Sequence, residues 1–66
     1  MKESELHIGK RVIVRDLEAH GHIYESARSD GSLDRIYGIR FDYTVWPPNF
    51  VATSVWHCKA KDLESE

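Results

Sequence analysis

Two pairs of residues in this chain have side chains that could bind a metal ion or carry out covalent chemistry. His20 and His22 are two positions apart, a spacing that places both imidazoles on one face of an extended strand. His57 and Cys58 are adjacent, so in a strand they point to opposite faces, and both could bind one ion only at a bend. Because two ligands do not complete a zinc site, we predict no metal site and interpret the histidines as surface or rim residues.

The thiol of Cys58 is the second candidate for chemistry, because a thiolate is a nucleophile when a base or a positive charge lies nearby. His57 and two lysines are close to it in the sequence. Adjacency in sequence is not a catalytic geometry, and no carboxylate pair or oxyanion-binding element is recognisable. We predict that Cys58 packs in a strand as a small apolar residue. We therefore assign no catalytic residue, no cofactor and no enzyme activity.

Short strands must position these side chains. The segment with the clearest strand pattern is residues 35–42. This segment alternates with period two, so Tyr37, Ile39 and Phe41 point to one side and the intervening residues point to the other. We predict that the three apolar side chains make the centre of the core. Gly38 lies on the outward side, where a glycine marks a bend, a bulge or a close contact across the sheet.

The rest of the chain completes the prediction of an all-β, small five-stranded barrel. Weaker alternation predicts strands at residues 10–15, 22–26 and 50–57, with loops at residues 16–21 and 43–49. Asp30 and Gly31 are the predicted apex of a hairpin between the second and third strands. Near the C-terminus, a short 3-10 turn is predicted to direct Leu63 onto the core before a last short strand. Residues 1–7 are predicted to be a flexible N-terminal arm and residues 8–64 the barrel.

Length and composition describe one small globular domain. A chain of 66 residues, 41% hydrophobic and 30% charged, builds only a modest core. Its single cysteine cannot form an internal disulfide, and no apolar leader precedes the charged residues 1–5. No apolar run approaches the roughly 20 residues that span a bilayer. We expect a cytoplasmic protein with no membrane partner.

The charges are mixed along the chain. Nine Lys and Arg against eleven Asp and Glu give a net charge of −2, a balance that does not favour phosphate binding. A local basic edge could form from Lys10, Arg11, Arg15 and Arg40, but alternating charges on strands usually form a solvated face. We therefore do not expect nucleic acid as a partner, and weak nucleic-acid binding is the last of the alternatives.

The order of motifs resembles that of SH3-like barrels. The resemblance is carried by four segments, at residues 9–14, 21–23, 37–42 and 62–64. Within that group, the Tyr-Gly-Ile-Arg-Phe-Asp run, followed by a Trp-bearing loop and a terminal Asp-Leu-Glu, is similar to the barrels of photosystem I subunit IV and the nitrile hydratase β-subunit. The likeness spans residues 8–64. It implies an SH3-like fold and implies little about function.

The same layout is similar to that of the plasmid-encoded type II dihydrofolate reductases, SH3-like tetramers of comparable size whose active site lines a central pore. Their Val-Gln-Ile-Tyr active-site run should fall near residues 50–54, where this chain has neither Gln nor Tyr. None of that family's key residues carries over. The resemblance is compatible with a homo-oligomer, and it leaves a small-molecule binder or a reductase-like enzyme with a site at the subunit junction as an alternative.

The aromatic residues support the leading functional hypothesis, because Tyr37 and Phe41 already fill the centre of a core this small. The predicted contact surface consists of Tyr24, Tyr43, Trp46, Pro47, Pro48, Phe50 and Trp56. Two consecutive prolines stiffen the loop, so presenting Trp46 to a partner costs little entropy. In the competing interpretation Trp46 is a lid over one barrel end and Trp56 lies in the wall or in a homo-oligomer interface. We predict a non-enzymatic binding or assembly module that contacts a protein or peptide partner.

Overall fold

The computed structural model describes residues 5–28 and 35–66. These residues form five strands, β1 (Arg11–Val14), β2 (Ala19–Arg28), β3 (Arg35–Val45), β4 (Thr53–Lys59) and β5 (Leu63–Ser65), with a 3-10 turn at Ala60–Asp62. All neighbouring strands are antiparallel and follow the order β4-β3-β2-β1-β5. The prediction of an all-β fold of five strands with a 3-10 turn near the C-terminus is confirmed.

The two outer strands of the sheet are β4 and β5. In the part of the chain that the structure describes, β4 pairs only with β3 and β5 pairs only with β1, so the sheet is not closed. This five-stranded antiparallel arrangement is compatible with a small β barrel. Among the described residues, no helix has the length and apolar character needed to cross a membrane.

The core lies on one face of the sheet and receives side chains from every strand. Tyr37, Ile39 and Phe41 are all buried, as their alternation predicted. Leu63 is also buried and directly follows the 3-10 turn, which confirms that the turn directs this side chain inward. Leu6 joins the same core from the segment preceding β1. The remaining buried apolar residues are Val12, Val14, Ala19, Ile23, Val45 and Cys58.

The strands differ in extent from the sequence-based prediction. β1 and β2 are joined by a tight turn, in which the backbone N–H of Leu17 donates to the Val14 carbonyl at 3.2 Å and Glu18 adopts a φ of 51°. The prediction of a loop through residue 21 is therefore wrong, because β2 already begins at Ala19. In the same way β3 continues to Val45, and β4 begins only at Thr53. The predicted apex at residues 30–31 lies outside the described residues.

Two glycines allow backbone or side chains to approach the sheet closely. A Cβ added to Gly21 would overlap the carbonyl oxygen of Arg40 on the neighbouring strand. At Gly38 the register between β2 and β3 shifts, so that Tyr24 and Glu25 both stand opposite this glycine. A Cβ there would lie 3.1 Å from the Tyr24 ring. The prediction of a bulge or close contact at Gly38 is confirmed, and the bulge turns the Tyr24 ring over the outer face of the sheet.

Candidate binding surface

An open apolar groove of about 300 Å³ runs along the edge strand β4. It is lined by Phe50, Val51, Thr53, Val55, Trp56 and His57. Four of these six side chains are apolar, and the lining includes no carboxylate, lysine or arginine. We refer to this feature as the groove. Its composition favours contact with an apolar group rather than with a charged ligand.

The segment between β3 and β4, residues 46–52, forms one wall of the groove, and we call it the tryptophan loop. The backbone N–H of Phe50 donates to the Pro47 carbonyl at 3.3 Å, and Asn49 adopts a φ of 63°, so residues 47–50 form a tight turn. Pro47 is buried and anchors this turn, whereas Pro48 is exposed. Trp46 is 78% exposed. The interpretation of Trp46 as a lid over the barrel end is therefore wrong.

The base of the groove is an aromatic pair. The rings of Phe50 and Trp56 meet edge to face, with centroids 5.5 Å apart and an interplanar angle of 88°. Trp56 stands opposite Ile39 in the β3–β4 ladder and packs partly against the core. Phe50 is 67% exposed. One ring of the pair is therefore fixed by the core, and it holds the other at the surface.

Irregular pairing between β3 and β4 allows the tryptophan loop to reach this position. Arg40 pairs with Val55, and the next pair is Val45 with Thr53, so residues 41–44 of β3 stand opposite Ser54 alone. Such an excess of residues on one strand bends it away from its partner. β3 therefore continues to Val45, and the tryptophan loop leads from there to Thr53 at the start of β4 and brings Phe50 against Trp56.

Tyr24 lies on the opposite face of the sheet from Trp56. Residues directly opposite in an antiparallel ladder point to the same face, so Trp56 shares the core face with Ile39, while His57 shares the outer face with Gly38. The Tyr24 ring covers Gly38 and packs edge-on against His57, with centroids 6.2 Å apart. Tyr24 is thus separated from the aromatic pair of the groove by the sheet itself.

The remaining aromatic of the predicted surface, Tyr43, is half exposed near the end of β3. Its hydroxyl accepts a hydrogen bond from the backbone N–H of His20 at 3.0 Å, which ties it to β2. The structure thus joins Phe50 and Trp56, places Trp46 and the two prolines in the adjoining loop, and leaves Tyr24 and Tyr43 outside the groove lining.

The outer face holds a small polar cluster around His57. Its Nε2 atom lies 3.4 Å from the hydroxyl of Tyr24 and 3.3 Å from a carboxylate oxygen of Glu25. The Arg40 guanidinium sits 5.4 Å from the Tyr24 ring centroid, within cation–π range. Because one imidazole nitrogen faces both neighbours, the arrangement is not a relay of the kind that activates a nucleophile.

Charged side chains link β1 to β3 and to the residue that follows β5. The guanidinium of Arg11 on β1 donates to both carboxylate oxygens of Asp42 on β3 and to Glu66, which follows β5. His20 contacts the same Glu66 carboxylate at 3.0 Å. The hydrogen bonds from Arg11 hold the pKa of Asp42 and of Glu66 below their usual values. We interpret this network as structural, because its members satisfy one another.

Cys58 is not arranged as a nucleophile. Burial, with smaller contributions from Asp62 and Asp16, raises the pKa of its thiol to about 12, so the thiol is protonated at neutral pH. In the strand ladder it stands opposite the buried Tyr37, whereas the neighbouring His57 points to the outer face. The described residues also contain no cluster of three or more metal-binding side chains.

Four groove residues were not in the predicted contact surface: Val51, Thr53, Val55 and His57. A local signal for them exists, because residues 43–58 contain no Asp, Glu, Lys or Arg in a chain that is 30% charged. The aromatic residues by themselves do not reveal this uncharged segment. Its unusual composition, more than any single ring, coincides with the groove and the loop.

Comparison with known proteins does not assign this chain to a family. No family model, curated protein or solved structure matches this chain. The geometry of the groove and of the tryptophan loop is therefore the basis for assigning a function.

Proposed function

We propose that this protein is a small, non-enzymatic binding or assembly module that contacts a protein or peptide partner through the groove and the tryptophan loop. The observation that carries the proposal is the exposure of Trp46, Phe50 and Val51, at 78%, 67% and 85%. Burying one such side chain stabilises a protein by about 1.5–3 kcal/mol. A chain of this size that leaves three of them in one loop uncovered has an apolar patch of the kind that marks interaction sites.

The open shape and the apolar lining of the groove favour a protein partner over a small molecule. Pockets for drug-sized ligands occupy about 300–1,000 Å³ and place a few polar groups around the ligand. This groove has about 300 Å³, opens along the edge of the sheet and has only Thr53 and His57 as polar lining. Aromatic side chains on a stiff backbone are instead typical anchors of protein interfaces. The proline turn that holds the loop lowers the entropy lost when a partner binds.

We also propose that the fold is an SH3-like barrel. Support comes from the strand order β4-β3-β2-β1-β5 and from the 3-10 turn that directly precedes β5. Such a barrel positions loops at its rim, and the tryptophan loop is one of these connections. The proposal concerns architecture, and the binding role rests on the groove.

The proposed compartment is the cytoplasm. The one cysteine of the chain is a free, buried thiol, and free thiols persist in reducing surroundings. No feature of the groove depends on this assignment.

A peptide-display selection against the purified protein tests the binding role. We expect selected peptides to carry an aromatic or large aliphatic residue and to bind with micromolar affinity. Replacing Val51 with Glu should weaken binding at least ten-fold, because it places a charge in the groove without disturbing the core. Ile8→Glu is a matched control, since Ile8 is 63% exposed and lies outside the groove.

The outcome of that selection decides the proposal in either direction. Equal loss of affinity in the Val51→Glu and Ile8→Glu proteins would show that binding does not depend on the groove. Chemical-shift changes at Tyr24 and Arg40 without changes at Phe50, Val51 and Trp56 would place the contact on the outer face instead. Either result would refute the proposed role of the tryptophan loop.

A further inference from the structure

A projection and a recess lie side by side on this molecule. Trp46 is 78% exposed and projects from the start of the tryptophan loop. The turn at residues 47–50 brings the chain back within a few residues, so Phe50 and Val51 of the groove lining follow directly. A partner that fits this surface needs a recess for an indole and a projecting aromatic for the groove. This chain itself has both.

We propose that the partner of the groove is a second copy of this chain, with Trp46 of each copy entering the groove of the other. This inference rests on the proposed function, because it names the partner of the same surface. A two-fold axis would relate the copies, so the projection and the recess are both used twice. The groove of about 300 Å³ is large enough for a single aromatic side chain.

The lack of charged residues in the groove lining and the tryptophan loop supports a two-fold interface between copies. In a two-fold interface each patch meets its own copy, so any charged residue near the axis meets a like charge. Residues 43–58, which include the tryptophan loop and the groove lining, contain no Asp, Glu, Lys or Arg. The flanking Asp42 carboxylate is already bound to Arg11. Self-association through this segment therefore brings together no formal like charges from the segment itself. The charged side chains that border the groove, Glu25 beside His57 and Arg40 opposite Val55, have opposite signs.

The area available is sufficient for a specific dimer. Aromatic side chains bury roughly 150–250 Å² each. The dimer would bury three largely exposed side chains of each copy, Trp46, Phe50 and Val51, together with the groove walls. The surface area removed from water would be on the order of 1,000 Å². That value lies near the lower bound for specific interfaces. The predicted dimer is accordingly of moderate affinity.

The edge of β4 argues against an extended peptide that adds a strand. The hydroxyl of Thr53 accepts the backbone N–H of Val55 at 3.1 Å and donates to the Val55 carbonyl at 2.8 Å. The N–H and carbonyl of Val55, a groove residue, are therefore already bonded, and a strand added alongside Val55 would have to displace the hydroxyl. Contact at the groove occurs through side chains. A folded partner with a projecting aromatic meets that requirement.

Sedimentation velocity and light scattering over roughly 5–500 µM test the inference. We expect the unmodified protein to pass from monomer to dimer as its concentration rises. Trp46→Ala removes the projection and Val51→Glu blocks the recess, and each should raise the dissociation constant at least about thirty-fold. Ile8→Glu should dimerise as the unmodified protein does. Circular dichroism checks that all four proteins are folded.

Mixing two variants gives a sharper test of the exchange. Neither variant can form the contact with itself, because one lacks the projection and the other lacks the recess. In an equimolar mixture, Trp46 of the Val51→Glu copy can enter the open groove of the Trp46→Ala copy. We expect the mixture to form a heterodimer through one contact, weaker than the unmodified dimer. Two monomeric variants that stay monomeric when mixed would overturn the exchange of Trp46.

The same measurements separate this inference from the proposed function. A protein that remains a monomer at 500 µM, yet binds selected peptides through the groove, would refute the dimer and leave the binding role intact. A dimer that persists in both the Trp46→Ala and the Val51→Glu proteins would show that the copies meet through another surface. A monomer that also selects no groove-dependent peptide would remove both proposals.

Discussion

The ring of Phe50 meets the indole of Trp56 edge to face, with centroids 5.5 Å apart, and this pair joins an exposed loop to the buried core. Trp56 packs against the core beside Ile39, whereas Phe50 is 67% exposed. The shape of the groove is therefore set by the core through one aromatic contact. Binding and stability can be separated at these two positions.

We predict unequal effects of replacing the two rings with alanine. Phe50→Ala should lower the free energy of unfolding by about 0.5–1.5 kcal/mol, the contribution of an aromatic pair at an exposed site. Trp56→Ala should lower it by about 3 kcal/mol, because it leaves a space beside the core. Urea unfolding followed by circular dichroism measures both values. Equal losses would mean that Phe50 belongs to the core as fully as Trp56 does.

We expect Gly21 to be the less replaceable of the two strand glycines. An alanine at Gly21 would place its Cβ against the Arg40 carbonyl oxygen, which is backbone and cannot move without parting β2 from β3. We predict a loss of about 3 kcal/mol or more, at the upper end of overpacking effects. Gly38→Ala meets the Tyr24 ring and the Glu25 side chain, which can shift, so its loss should be about 1 kcal/mol.

The double variant Gly38→Ala/Tyr24→Ala is the control for this comparison. Removing the ring should relieve part of the cost at Gly38, whereas the same Tyr24 substitution should not rescue Gly21→Ala. Thermal unfolding measures five variants, namely the two glycine substitutions, Tyr24→Ala alone, and Tyr24→Ala combined with each glycine substitution. Rescue of Gly21→Ala by loss of the Tyr24 ring would contradict the contacts described above.

The Arg11 network predicts a loss of stability in acid. Hydrogen bonds from Arg11 lower the pKa of Asp42 and Glu66 in the folded state relative to their ordinary values of 3.8 and 4.5. A carboxyl whose folded pKa is lowered stabilises the protein above its unfolded pKa, and this stabilisation disappears as the pH falls through the folded pKa. We expect the urea midpoint to be constant near neutral pH and to fall below about pH 4.5.

Arg11→Gln tests the origin of that pH dependence. Its urea midpoint should lie below that of the unmodified protein at pH 7. The difference should shrink as the pH falls below about 4.5, because the unfolded chain then binds protons at Asp42 and Glu66 more readily than the folded unmodified protein does. Arg28→Gln, a change outside this network, should leave the pH dependence as it is. A constant difference between the Arg11→Gln and unmodified proteins from pH 7 to pH 3 would rule out this network as its cause.

Cys58 should be unreactive in the folded protein. Burial raises the pKa of its thiol to about 12, and the thiolate is the reactive form. At pH 8 we expect a disulfide reagent to modify Cys58 at least a hundred-fold more slowly than in urea. Cys58→Ala should lower stability by about 1 kcal/mol and leave the groove-dependent binding unchanged. Rapid modification of the folded protein would show an accessible thiolate.

Features that depend on neighbouring positions were predicted from the sequence. Alternation through residues 35–42 identified Tyr37, Ile39 and Phe41 as core residues, because a strand turns successive side chains to opposite faces wherever it lies in the sheet. The all-β class and the 3-10 turn followed from the same local patterns. Glycine at position 38 likewise indicated a bulge or close contact, since the missing side chain is itself a local property.

Structural features that depend on pairing between distant segments could be determined only from the tertiary structure. The glycine at position 21 and its flanking histidines form a pattern typical of a loop. In the structure, Gly21 packs against the Arg40 carbonyl, and this segment is the start of β2. The bulge opposite Gly38 turns Tyr24 to the outer face, away from Trp56. The groove exists because the break in the β3–β4 ladder returns Phe50 to Trp56. Register and bulges are set by contacts between strands, and no local pattern contains them.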